Sequence, residues 1–167
     1  NAAQTDIGWN IDDVELLGDK PVDTSPPVPS LSVADITIGG SPSHSCNVTY
    51  TDDTAVRLIS LDSSDLTITG PNGYSSFVEY VGADLPDDGS PCSAAYSMPA
   101  PGGTWDALDD GVYSVILNAD QVKDVYGNTV PETALGTFNV ALAPEGTGVL
   151  EVSPTAGLST SGPAGGL

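Results

Sequence analysis

Basic residues are nearly absent from this chain: 3 Lys and Arg stand against 23 Asp and Glu in 167 residues, a formal charge of −20. A field of that sign repels nucleic acid and anionic membrane surfaces, which bind through clustered cations. Long apolar runs are missing as well, and nothing approaches the roughly 18 consecutive apolar residues of a membrane-spanning helix. No signal-peptide pattern opens the sequence, so a secreted protein would be present here already processed, or as part of something longer. The chain has a single His, His44, and 2 Cys without CxxC spacing, too few ligands for a zinc site. Catalysis lacks its parts too. His44 lies between Ser43 and Ser45 in a Gly/Ser/Pro stretch with no nucleophile elbow, and no two carboxylates are spaced as a glycosidase pair. A non-enzymatic protein is expected.

What is present is turn chemistry and short apolar runs. With 19 Gly, 14 Pro and 39% hydrophobic residues, the chain reads as all-β. Strands are expected over Leu31–Ile38, Ser45–Thr51, Asp65–Thr69, Ser76–Gly82, Cys92–Met98, Val112–Asn118 and Gly136–Leu142. Seven short strands with Gly, Pro, Asn and Asp between them predict a β-sandwich. Ahead of them, Ile7, Trp9, Ile11, Val14 and Leu16 give residues 1–18 the alternation of one further strand. Residues 19–30 hold four Pro between Lys20 and Pro29 and predict a semi-rigid linker. The expected organisation is thus a terminal strand over 1–18, a linker over 19–30, a sandwich over 31–143, and over 144–167 a linker leading to another short strand at Val149–Val152.

The segment Asp109-Asp-Gly-Val-Tyr-Ser-Val115 organises the sandwich. Asp109, Gly111, Tyr113 and Val115 resemble the tyrosine corner of immunoglobulin-type domains, where a Tyr two residues before the second core Cys bonds back to upstream backbone. Here Val115 stands in the place of that Cys. Val48-Thr-Tyr-Thr-Asp52, Thr69-Gly-Pro-Asn-Gly73, Pro101-Gly-Gly-Thr-Trp-Asp106, Val122-Lys-Asp-Val-Tyr-Gly-Asn128 and Leu135-Gly-Thr-Phe138 follow in order. Together these pieces resemble a bacterial Ig-like repeat of large secreted and cell-surface proteins, over about 31–143. Gly8-Trp-Asn-Ile-Asp-Asp-Val-Glu-Leu16 resembles the last strand of secreted jelly-roll modules. These resemblances imply an immunoglobulin-like sandwich with flanking strands, an extracellular location, and a structural or assembly role. The expected partners are adjacent domains of the same protein or further copies of the chain. Immunoglobulin topology also makes the strands that begin at Cys46 and Cys92 neighbours in one sheet, so a disulfide between adjacent strands is expected.

Three other roles are open at this point. Calcium takes hard oxygen ligands, and acidic loops recur along the chain, as at Asp52-Asp53. Asp106, Asp109 and Asp110 place three carboxylates within one short loop, and Asp12 and Asp13 are a second candidate pair. None matches the EF-hand pattern. A glycan- or surface-binding module would instead present exposed aromatics, for which Trp9, Trp105, Tyr74, Tyr80 and Tyr126 are available. A third possibility uses the strand Ile7–Leu16 to pair with the sheet of another copy, which would build a filament.

Overall fold

The computed structural model describes residues 22–142. The expected strand Ile7–Leu16, with Asp12 and Asp13, and the segment 144–167 lie outside the described residues. Eight strands alternate with turns: β1 (Val28–Val33), β2 (Ser43–Thr51), β3 (Leu66–Thr69), β4 (Ser75–Phe77), β5 (Glu79–Ala83), β6 (Cys92–Pro99), β7 (Gly111–Leu117) and β8 (Thr133–Val140). They form two four-stranded sheets, in the orders β1-β2-β6-β5 and β4-β3-β7-β8. All these strand pairs are antiparallel. This is the strand order of an immunoglobulin-type sandwich.

Alternation along each strand decides which side chains enter the space between the sheets. From β6, Cys92, Ala94, Tyr96 and Met98 point inward, and from β7, Tyr113, Val115 and Leu117 do so. Val48 and Tyr50 of β2 and Leu66 and Ile68 of β3 fill the middle. One end of the core is aromatic. The Trp105 ring meets Tyr113 edge-on at 5.3 Å, and Tyr113 stacks on Phe138 at 5.2 Å. Trp105 is buried, as expected of a residue that closes the end of the sandwich.

The corner holds this end together. The Tyr113 hydroxyl donates to the backbone carbonyl of Asp109, four residues upstream, at 3.0 Å. The turn before the corner is a single helical turn, Ala107–Asp109, with a reciprocal cap: Leu108 N–H donates to Asp106 and Asp106 N–H donates to Asp109. Gly70 lies against the Tyr113 ring so closely that a Cβ there would occupy the ring's own space. Gly111 has φ 144°, a conformation open to glycine, and brings the chain beside Pro71.

Several boundaries shift by one to three residues, β8 for example running Thr133–Val140, and two of the expected strands pair differently. The first strand begins at Val28 and not Leu31, so the end of the Pro-rich linker already pairs with β2. Pro29 is tolerated there because β1 is an edge strand with one side free of ladder bonds. The chain then crosses to the other sheet, where Ile36 bridges Val140 in parallel. The expected strand Ser76–Gly82 is divided between the two sheets: β4 pairs with β3 and β5 pairs with β6. Val78, buried between exposed neighbours, marks the crossing.

The expected disulfide is not formed. Cys46 and Cys92 are both free thiols, and both are buried. They do lie on adjacent strands, β2 and β6, but Cys46 faces Tyr96 and Cys92 faces Tyr50. That register separates them by four residues along the ladder, about 14 Å at roughly 3.4 Å per residue. A disulfide needs Cα atoms within about 7 Å. Each thiol instead serves as a small apolar core residue. Burial pushes Cys46 up to about 11 and raises Cys92 as well, which leaves little reactive thiolate. Without reductant, the native protein will therefore react slowly with a thiol reagent at pH 8, and the denatured protein will show 2 titratable thiols. No thiol after denaturation would restore the bridge.

Candidate functional site

The expected loop cluster does not converge. Asp106 and Asp109 cap each other's backbone, and Asp110 accepts the N–H of Leu142 at 2.7 Å, which fixes the exit of the last strand. These three carboxylates hold backbone, each accepting a different N–H.

Carboxylates do converge at the opposite end, where the linker enters. Asp52 follows β2, and its Oδ1 accepts the Thr54 and Ala55 N–H groups and the Thr54 hydroxyl. Asp124 opens the tight 124–128 turn between β7 and β8. Its Oδ1 accepts the Tyr126 and Asn128 N–H groups, and its Oδ2 accepts the Asn128 side-chain amide. Such self-capped turns are why Asp and Asn are found there. Asp23 comes from the linker. It takes the Thr54 hydroxyl on Oδ2 at 2.8 Å, and its backbone carbonyl takes the Asn128 amide at 3.0 Å. Thr54 and Asn128 thereby tie the linker to two loops of the domain at once.

Asp23, Asp52 and Asp124 each offer a carboxylate oxygen, and the three oxygens lie within 4.8 Å of one another. Asp124 is completely buried. Asp52 Oδ2 is also buried and has no hydrogen-bond partner. The Ser25 N–H and the Thr54 hydroxyl hold Asp23 below the usual carboxylate range. Its neighbour Asp53 is pushed up, first by sharing a hydrogen bond with Asp23. The two described basic side chains, Arg57 and Lys123, line a shallow groove with Ile59, Asp62 and Asp120. Carboxylates this close, one of them buried, make a place that attracts a cation. An all-oxygen donor set with an orphaned carboxylate oxygen fits a hard divalent ion such as calcium.

Only Asp52 of this trio belongs to a cluster visible in the sequence. Asp23 sits alone in the linker, and Asp124 reads as a turn residue in Asp124-Val-Tyr-Gly-Asn128. Folding assembles them from three distant segments, so no local spacing could announce the group. His44, placed by the sequence in a loop, is in β2; a ring nitrogen lies 2.8 Å from the Ala34 carbonyl and the ring packs near Phe138.

The aromatic side chains divide unevenly. Tyr50, Tyr96, Trp105, Tyr113 and Phe138 are buried, while Phe77 and Tyr126 are the exposed ones among the described residues. Phe77 ends β4 and Tyr126 lies in the β7–β8 turn, so no described loop presents a pair of exposed rings. No protein-family model matches this chain, and no curated protein matches it.

Proposed function

We propose that this chain is a non-enzymatic structural module of an extracellular bacterial surface protein, an Ig-like spacer that transmits tension between neighbouring domains. The observation that carries the reading is the bonding between the first and last segments of the sandwich. Ile36 N–H donates to the Asn139 carbonyl and Ala141 N–H donates to the Ile36 carbonyl, both at 2.9 Å. Asp35 adds a third contact by accepting the Asn139 N–H at 2.8 Å. The two segments run parallel here. Tension that enters through the linker and leaves past Leu142 loads these bonds in shear, so they must fail together and cannot be opened one by one.

The remaining features support the same reading. The resemblance to repeats of large surface proteins supplies the extracellular bacterial setting, with adjacent domains as partners. Among the described residues, the exposed aromatics Phe77 and Tyr126 are isolated rings, which favours the spacer over a glycan-binding face. Of the four edge strands, β4 has 3 residues, β5 has 5 and β1 has 6, short templates for strand addition by a second copy, and the end of the longer β8 edge is already bonded to Ile36. Among the described residues, no helix is long and apolar enough to cross a membrane.

The acidic group at the linker has a place in this proposal. A calcium ion held by Asp23, Asp52 and Asp124 would join the linker to two loops and stiffen the approach to the domain. Its charge would be attracted by a chain of formal charge −20.

Force spectroscopy on a tandem array of the chain tests the mechanical reading. Unfolding should need high force, and Asp35→Ala should lower that force clearly while changing equilibrium stability by only about 0.5–1.5 kcal/mol. Unfolding at low force, or an unaltered force in the variant, would count against it. Calcium is tested separately by melting. Calcium should raise Tm and chelator should lower it by several degrees, because an ion bound only to the folded state adds stability. The gain should vanish in Asp124→Asn; identical curves with and without chelator would remove the ion from the proposal.

A further inference from the structure

A second carboxylate is buried in the middle of the molecule, away from the linker. Asp65 immediately precedes β3 and is 0% exposed. Its Oδ2 accepts the Asp62 N–H at 3.0 Å and the Tyr96 hydroxyl at 2.7 Å. Tyr96 stands on β6, in the opposite sheet, so this bond crosses the sandwich. The Tyr96 hydroxyl lies 3.3 Å from that of Tyr50 on β2, which extends the polar chain by one member. Asp65 Oδ1 is buried with no partner at all.

An ionised carboxylate in this position would need a counter-charge, and none is supplied among the described residues. The groups that bear on it are the Tyr96 hydroxyl, the Asp62 backbone and carboxylate on its own loop, and, further off, Tyr50 on β2 and Tyr80 on β5. Burying a lone charge costs several kcal/mol, so the group favours its neutral form. A neutral acid can place its proton in the Asp65–Tyr96–Tyr50 chain and leaves no charge between the sheets.

We propose that Asp65 is a proton-operated latch between the two sheets, closed when the carboxyl is neutral and strained when it ionises. Burial is also the leading cause that raises its affinity for a proton, to about 6 against 3.8 for a free side chain. Between about 3.8 and about 6 the folded chain keeps a proton that the unfolded chain has lost. Stability from this group is therefore full at the acid end, falls as pH rises through that window, and stays low above it. The latch makes the module firmest in mildly acidic surroundings.

The experiment follows the Asp65 carboxyl carbon by NMR in the native, 13C-Asp-labelled chain, with melting curves from pH 4 to 8. The Asp65 signal should titrate near 6 and should move further up in Tyr96→Phe, which removes a donor to the anion. Asp65→Asn should melt several degrees above the wild type at pH 7.5, with the gap closing toward pH 4. The NMR titration keeps the proposal testable if that variant does not fold. A midpoint in the ordinary carboxylate range near 4, or melting curves of wild type and Asp65→Asn that run parallel with pH, would overturn the latch.

Discussion

Tyr113 is the side chain on which the rest of the sandwich depends. Its ring is buried among Trp105, Phe138 and Tyr74, and its hydroxyl has one available acceptor, the Asp109 carbonyl. A buried hydroxyl without a partner costs about 1–3 kcal/mol, so the turn before β7 must return to the place where that carbonyl can meet it. The capped turn at Asp106–Asp109, the Gly70 contact and the Gly111 conformation are all consequences of that requirement. Once β7 is positioned, β3 and β8 add on either side of it, and β8 brings Asn139 and Ala141 to Ile36. One hydrogen bond therefore links the corner to the contact that joins the two ends of the domain.

The two polar groups in the interior have different jobs. Carboxylates at the corner cap backbone and carry no further partner. Asp65 spans the sheets, in a core where neither buried cysteine is bridged. An inter-sheet disulfide is insensitive to pH, whereas a carboxylic acid in the same layer is not. The linker group is a third case, since its three carboxylates crowd together and Asp52 keeps a buried oxygen without a partner. Acidity in this chain thus does three separate things, according to whether the carboxylate meets an N–H, a hydroxyl or another carboxylate.

Much of the sandwich was legible in the sequence because β2, β3, β6 and β7 alternate between buried and more open positions over most of their length. The corner was legible because Asp109, Gly111 and Tyr113 sit at fixed offsets within one turn. The passage from β4 to β5 was not, since alternation runs through Val78 unbroken while the hydrogen-bond partner changes. The cysteine pairing failed for a related reason: topology makes β2 and β6 neighbours, but register alone decides which residues face each other. The linker trio was invisible because its members come from the linker, the end of β2 and the 124–128 turn. For Asp106, the spacing to Asp109 that suggested a metal loop is equally the spacing of a helix cap.

The central claim is that the first and last segments are part of one cooperative unit with the corner. Native-state amide hydrogen exchange measures this residue by residue. The account predicts that Ile36 and Ala141 exchange with the same opening free energy as Val115 beside the corner, through global unfolding. Exchange of Ile36 and Ala141 by easy local opening, while Val115 stays protected, would contradict it.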